Sequence, residues 1–390
     1  MSEMDELFYR NPYLKTFEAK IVSCEEGKNG FEVVLDDTAF YPEGGGQPAD
    51  HGKIGEAVVN DVRRTGGRIV HYCDRAVDAG SRVKCEIDWA RRYDNMQNHT
   101  GEHALSGLVH AKYGFENVGF HMDDDVITVD FDGELTPEQM AEMEKKVNEA
   151  IALNKPVDVD FPDAETLEHM QYRSKKELTG RVRIVTVEDC DRCACCGTHV
   201  RSLGEVGILK ILSVEKHRGG TRVEFVCGGR AMRDYQKRID QVKAVTALTS
   251  AKNGDIVPAV QKLLDEIAQR NEQIKALEKQ LYEAKADAIP SGQKVLVLFE
   301  KGMVPQQLRN FATMLFEKGK AKAVAVLSET APDTQSYVLV GPEALMRDAS
   351  KSLNKTLNGR GGGSKGIIQG SYKAAPDAIR AAIVETFKDL

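Results

Sequence analysis

His99-Thr100-Gly101-Glu102-His103 and Cys195-Cys196-Gly197-Thr198-His199 are the two stretches on which the reading of this chain turns. The first lies in a helical pattern over Arg91 to Tyr113, where Met96, Thr100, His103, Ser106 and Val109 recur at spacings of three and four. Residues four apart on a helix lie one turn above each other, so both imidazoles face one way and can share a metal. The second stretch is expected in a turn after a strand ending at Val187. Together His99, His103, Cys195 and His199 supply three nitrogens and one sulfur, a normal tetrahedral set for Zn2+. These borderline and soft ligands suit zinc better than magnesium or calcium. Two blander readings stand beside this one. His99 and His103 are also the kind of polar pair found on a half-buried helix. Cys190, Cys193, Cys195 and Cys196 are also spaced for a structural zinc knuckle, which would leave the three histidines without a role. Glu102 directly precedes the second His, whereas the metalloprotease base directly follows the first. It should project about 100° from His103, which suits a solvated or supporting role better than that of a base.

Working outward, Lys15 to Asp88 reads as short β-strands, with β-rich runs at Phe31–Leu35 and Val83–Ile87 and a turn at Thr65-Gly66-Gly67. Within it, Phe40-Tyr41-Pro42-Glu43-Gly44-Gly45-Gly46-Gln47-Pro48 lets a ligand approach the main chain, but it lacks the lysine of a nucleotide loop. Beyond the histidine helix, Gly114 can end it and Val126–Phe131 reads as a strand. Thr136-Pro137-Glu138-Gln139 is a capping box with Pro at the first helical position. Strands are expected at Val157–Phe161, Val182–Val187, Ile208–Val214 and Arg222–Val226. Further on, Val260, Ile267, Ile274 and Leu281 fall seven apart, with Leu263 and Leu277 at a second heptad position, a helical hairpin or coiled-coil signature weakened by Arg270 on the same stripe. After Pro290-Ser291-Gly292 come apolar strands at Val295–Phe299, Ala323–Leu327 and Tyr337–Val340 among helical stretches, and a Gly-rich loop from Asn358 to Gly366. The fold class is therefore α+β in four parts: a small barrel-like β domain at 1–89, a zinc-binding layered α/β domain at 90–228, a helical coiled-coil-like linker at 229–288, and a small α/β domain at 289–390.

Composition limits the function without choosing it. The net charge of −7 is not that of an obvious nucleic-acid binder, so RNA binding needs a local basic surface. Arg360, Lys365 and Lys373 around Gly361–Gly363 offer one, suited to phosphate contacts. No run reaches the ~20 apolar residues of a membrane span, and no membrane partner is expected. Met1 to Leu14 carries Glu3, Asp5 and Glu6 and no apolar stretch, so a secretion signal is not expected. Eight cysteines without an export signal suit a reducing, cytoplasmic location.

At this point the chain resembles a known family. Asp37-Thr38-x-Phe40, then Tyr41-Pro42-Glu43-Gly44-Gly45-Gly46-Gln47, His99-x-x-x-His103 and Cys195-x-x-x-His199-Val200 look like the editing domain of alanyl-tRNA synthetase and, more closely, its free-standing relatives, the AlaX proteins in their long form. Gly361-Gly362-Gly363 followed by Ile368-Gln369-Gly370 is similar to the C-terminal domain of that synthetase. The aminoacylation domain is absent, so the resemblance implies trans-editing. This means zinc-dependent, ATP-independent deacylation of alanine tRNA misacylated with serine or glycine, in the service of translation fidelity.

It implies zinc at His99, His103, Cys195 and His199, and serine discrimination by Thr38. It also implies a site for the tRNA end shaped by Gly44, Gly45, Gly46 and Gln47. The helical segment and C-terminal domain are expected to serve homodimerisation and tRNA binding. One departure is Cys196, where the family usually has Gly; counting back four from His199 keeps Cys195 as the ligand. Four protein ligands close a tetrahedron, so a catalytic zinc must expand its coordination, lose a ligand, or only position the substrate. The rival readings are a zinc hydrolase of a small ester or peptide, favoured by the net charge, and a non-catalytic RNA-binding zinc module.

Overall fold

Period-two burial along the first strands closes a barrel. In the computed structural model, which describes residues 6–28, 30–174, 181–252 and 255–390, a short helix α1 (Leu7–Arg10) precedes six strands. These are β1 (Thr16–Gly27), β2 (Gly30–Leu35), β3 (Gly52–Ile54), β4 (Ala57–Thr65), β5 (Arg68–Cys73) and β6 (Arg82–Ile87). Their order is β1-β2-β5-β4-β3-β6, and antiparallel pairing of β6 with β1 completes the closure. Ile21, Val33, Ile54, Val59, Val62 and Cys85 fill the interior. The expected turn joins β4 to β5 through Gly66 and Gly67, both at positive φ, as a two-residue hairpin demands. Glu3 and Asp5, part of the expected signal-free N-terminus, lie outside the described residues.

The histidine helix follows directly. α2 (Trp89–Tyr113) starts where Asp88 accepts the Arg91 amide and ends at Gly114, whose left-handed φ caps it. Then come β7 (Asn117–Met122), β8 (Ile127–Phe131) and α3 (Pro137–Ala152), which opens with the expected capping box. β9 (Val157–Asp160), α4 (Ala164–His169), β10 (Ile184–Val187) and β11 (Asp191–Ala194) lead to the hairpin β12 (Leu209–His217) and β13 (Gly220–Cys227). Two sheets result, β12-β13-β8-β7 and β11-β10-β9. Leu105, Val109, Met140, Met143, Val185 and Phe225 share one core with them. A buried ion pair ties the barrel to α2. Arg92 Nε donates to Asp50 Oδ1 at 2.9 Å, and Arg92 also reaches the carbonyls of Pro12 and Ala39.

The chain forms two compact units, Met1–Ala244 and Val245–Leu390, and the division falls inside α5 (Gly228–Thr249). The second unit contains α6 (Ile256–Asp287), β14 (Gln293–Glu300), α7 (Pro305–Glu317), β15 (Ala321–Ala331), β16 (Thr334–Val340), α8 (Glu343–Thr356), β17 (Arg360–Ser364), β18 (Ile367–Tyr372) and α9 (Pro376–Thr386). Its sheet runs β14-β15-β16-β18-β17, parallel only where α7 crosses between β14 and β15. Alternation along β15 makes three layers. Ala323, Ala325 and Leu327 join a core with α8 and α9, whereas Val324 and Val326 join one with α7 and the end of α6. Tyr282 and Ala286 of α6 are buried there, so the last turns of the expected linker belong to the core of this unit. The heptad residues stay on the surface, from 37% exposed at Val260 to 64% at Leu277. Among the described residues no helix is long and apolar enough to cross a membrane.

One expectation needs correction. The C-terminal Gly-rich segment is not a loop but the edge strand β17, paired in register with β18 from Arg360↔Ser371 to Ser364↔Ile367. At Gly361 and Gly363 the close strand approach leaves no room for a side chain: a Cβ would lie 2.4 Å from the Gln369 carbonyl oxygen and 2.1 Å from that of Ile367, respectively.

Candidate metal centre

α2 carries His99 and His103 on one face, and the turn after β11 brings Cys195 and His199 to them. One ligand atom from each of the four lies within 4.8 Å of every other. Cys195 Sγ is 3.5 Å from His99 Nε2 and 3.4 Å from His199 Nε2. The three imidazoles are almost fully buried, so their remaining nitrogens need partners.

Each imidazole is held from behind. His99 Nδ1 lies 2.8 Å from Gln47 Oε1, which also accepts the Thr198 amide, while Gln47 Nε2 donates to Thr198 Oγ1. His103 Nδ1 lies 2.9 Å from Asp191 Oδ2. His199 Nδ1 lies 3.1 Å from Thr100 Oγ1, whose own proton goes to the Met96 carbonyl. All three acceptors are oxygens with no proton to give in that direction, so each Nδ1 carries the hydrogen and each Nε2 lone pair faces Cys195. That is the tautomer a divalent metal requires. Arg173 donates two hydrogen bonds to Asp191, at 2.8 and 2.9 Å, and fixes the carboxylate in turn. Gly107 makes this approach feasible, since a Cβ there would meet the Cys190 carbonyl oxygen at 2.3 Å and Asp191 Cβ at 2.5 Å.

The electrostatics suit a cation. Burial raises the Cys195 thiol, but the facing imidazoles outweigh burial and hold it well below its ordinary value. Burial pushes His199 down to about 3. Burial also raises the Asp191 carboxyl, yet hydrogen bonds from His103 and Arg173 outweigh it and keep the group below the usual carboxylate range. Burial lowers His103, but the Cys195 thiolate and the Asp191 carboxylate outweigh it and hold the ring well above its ordinary value, so the anions of this cluster favour a positive charge at its centre. An anionic sulfur with three imidazoles is the donor set of a zinc site, and the residues present fit that ion. The knuckle alternative does not form: among the described residues Cys190, Cys193, Cys195 and Cys196 do not converge as a set, and Cys196 is exposed.

His99, His103 and Cys195, but not His199, open onto a cavity of about 470 Å3 whose wall includes Gly45, Gly46, Glu102, Phe120 and Arg173. Gly46 sits at positive φ, and a Cβ there would meet the Phe120 ring at 2.4 Å, so the backbone itself forms that wall. Gly44 forms a bridge with Gln47 just behind it. Glu102 is not solvated. It is 3% exposed, and its carboxylate accepts from Ser106 Oγ at 2.6 Å and from Asn117 Nδ2. Its helix position predicted outward projection, but the sheet strand carrying Asn117 packs over that face.

A family profile described as class II (A) tRNA synthetases matches residues 7–91, and one described as the second additional domain of threonyl and alanyl tRNA synthetases matches residues 182–224. The alanyl-tRNA editing protein AlaX-L of Pyrococcus horikoshii is 31% identical over 99% of this chain and 98% of its own. The chain belongs to the alanyl-tRNA editing protein family. The Aarsd1 editing protein of Rattus norvegicus is 29% identical over 98% of this chain and 97% of its own. An alanine–tRNA ligase of Pyrobaculum aerophilum is 32% identical over 97% of this chain but only 44% of its own length.

The other expected site residues fall elsewhere. Gln47 is wholly buried and reaches the metal ligands only through His99 and Thr198. Thr38 lies inside the barrel, 4% exposed and off the cavity wall. Its Oγ1 is 2.9 Å from His71 Nε2 and accepts the Phe40 amide, while His71 Nδ1 faces the Val33 carbonyl at 2.9 Å. His71 Nδ1 is thus the protonated nitrogen, and Thr38 gives its hydroxyl proton to Nε2. Burial pushes His71 down to about 4, consistent with a neutral ring. Arg360 begins the exposed β17, Lys365 holds a left-handed φ of 54° in the following turn, and Lys373 follows β18. Sequence reasoning missed Asp191, Arg173, Thr100 and His71. Apart from Thr100, which reads only as part of the helical stripe, none carries a spacing signal, because the groups they meet at the site come from other elements.

Proposed function

We propose that the chain hydrolyses the ester joining serine or glycine to alanine tRNA, in the cytoplasm, with a zinc ion held by His99, His103, Cys195 and His199. The observation that carries this is the convergence of three oriented Nε2 atoms and one thiolate, with His99, His103 and Cys195 on the wall of a cavity, in a chain of the editing family. A bound zinc supplies positive charge that polarises the ester carbonyl. The chain's own groups do the rest. Gln47, Asp191 and Thr100 hold the imidazoles in one tautomer. Gly45 and Gly46 leave backbone where the tRNA 3′ end approaches. Thr38, as the family resemblance implies, discriminates serine; it lies behind the cavity wall, and because its proton is committed to His71 it meets a serine hydroxyl that reaches it as an acceptor.

The parts divide this work. The barrel (1–89) and the metal domain (90–228) build the editing site. The segment 229–288 pairs two copies through the apolar stripe of α6. The C-terminal domain (289–390) holds tRNA through Arg360, Lys365 and Lys373. Gly362 supports that last role, since its φ is not positive and a Cβ there would meet nothing within 4 Å. The fold gives no reason for a glycine at that position, whereas a phosphate backbone lying along the strand does.

Deacylation of seryl-, glycyl- and alanyl-tRNA by metal-loaded and chelator-treated protein tests the reading. Rapid release of serine and glycine, sparing of alanine, and loss of activity without metal are expected. A protein that binds these tRNAs without cleaving them, or that cleaves only small esters, would sink it.

A further inference from the structure

Val118 is a large apolar side chain left 64% exposed on the wall of the metal cavity. It sits in β7, the edge strand of its sheet, which among the described residues pairs with β8 alone. The register slips between Asn117 and Gly119, so Val118 has no residue opposite it on β8. A bulge of this kind re-aims a side chain, and bulges are common beside active sites. Two residues on, Phe120 is half-buried on the same wall. Its ring centroid lies 5.2 Å from that of His99, and the Gly46 backbone also packs against it. Among the described residues that line this cavity, Val118 and Phe120 are the two large apolar side chains. Neither serine nor glycine has an apolar side chain that would cover them.

What an aminoacyl-tRNA brings to the cavity beyond the amino acid is its terminal adenosine. The scissile carbonyl, the ribose and the base follow one another in that substrate. The His99 imidazole, the Phe120 ring against it and Val118 two residues back along β7 make a matching run. A purine offers a flat π-face that stacks on an aromatic ring and buries apolar surface beside it. On the ester-hydrolysis reading above, we propose that Phe120 and Val118 form the platform for the terminal adenine of the tRNA. The platform holds the nucleotide while the metal side holds the ester. Stacking reads a π-face and no hydrogen-bond pattern, so it adds affinity for the tRNA end and does not sort serine from alanine.

The test is a binding cycle on the zinc-loaded full chain. One probe is adenosine with serine amide-linked at its 3′ position, and the other carries hydrogen in place of the adenine. Both are titrated by calorimetry into the wild type, Phe120→Leu and Val118→Ser. Stacking a base on an aromatic side chain corresponds to about a 10–100-fold change in Kd. The wild type should prefer the adenine-bearing probe by that factor. Phe120→Leu should lose most of the preference and Val118→Ser a several-fold part of it, in each case by weakening the adenine-bearing probe alone and with zinc retained. A preference unchanged in zinc-loaded Phe120→Leu overturns the proposal, as does equal binding of both probes by the wild type. Should Phe120→Leu lose its zinc, the exposed Val118→Ser decides on the same terms. Failure of both probes to bind the wild type overturns the ester reading along with the proposal, whereas equal binding overturns the proposal alone. The amide probes are not hydrolysed, so this result is separate from the deacylation assay on which the function rests.

Discussion

The metal wall and the β17 edge are built in opposite ways. At the metal wall, side chains are present, buried and held from behind: Gln47, Asp191 and Thr100 each fix one imidazole. At the edge strand, side chains are missing: Gly361, Gly362 and Gly363 leave bare backbone between Arg360 and Lys365. The first arrangement gives direction, which chemistry at a single atom needs. The second gives access, which a long polyanion needs. The first should fail when a group is removed, and the second when one is added.

The largest effect is expected at the metal wall. Cys195→Ala should lose bound zinc and deacylation together, whereas Cys193→Ala and Cys196→Ala should keep both; zinc content by elemental analysis decides. Zinc retained in Cys195→Ala but lost in a neighbour would move the ligand. One layer back, Asp191→Asn should weaken zinc by about 10–100-fold, the usual cost of losing a carboxylate behind a metal-bound imidazole. Competition against a chromophoric chelator measures it, and unchanged affinity would mean that Arg173 and Asp191 serve packing alone.

Behind the wall, the barrel should be acid-sensitive through His71. Its folded pKa is depressed to about 4 from 6.5, so the unfolded chain takes up the proton first. The stability it contributes is present above pH 6.5 and is lost as pH falls toward 4, by about 2 kcal/mol at pH 5. Urea midpoints at pH 7 and pH 5 should separate in the wild type and draw together in His71→Leu. An equal separation in both would assign the acid sensitivity to other groups.

The edge strand is tested by adding atoms. Gly361→Ala should lower the melting temperature, because its Cβ would enter the Gln369 carbonyl; Gly362→Leu should leave melting unchanged and weaken tRNA binding several-fold. Arg360→Gln should reduce the salt dependence of binding by about one ion. Tight binding by Gly362→Leu would leave this edge without a nucleic-acid role. The smallest effect is expected at Thr38, where Thr38→Val should slow seryl-tRNA deacylation several-fold, since one neutral hydrogen bond contributes about 0.5–1.5 kcal/mol. Seryl activity equal to the wild type would remove Thr38 from discrimination.

Local periodicity and spacing carried much of this molecule. The i, i+4 histidines, the capping box at Thr136, the Gly114 stop and the strand alternation of the barrel all depend on residues near one another in the chain. Such features are legible because helix and strand geometry converts spacing directly into direction. What the chain order could not show is which groups meet across elements. Glu102 reads as solvated or supporting from its helix position, and its hydrogen bonds from Ser106 and from Asn117 of β7 hold it buried on the cavity wall. Asp191 sits in unremarkable local sequence and Gln47 in a motif that does not name its partner, and it is folding that places them behind His103 and His99.

The sequence by itself determined the ligand types, the metal they suit and the run of elements that carries them. Tertiary structure alone decided which nitrogen of each imidazole faces the Cys195 sulfur, that Thr38 spends its proton on His71, and that a Gly-rich stretch is an edge strand. The physical reason is that hydrogen-bond direction and burial belong to pairs of residues far apart in the chain, and no periodicity records them.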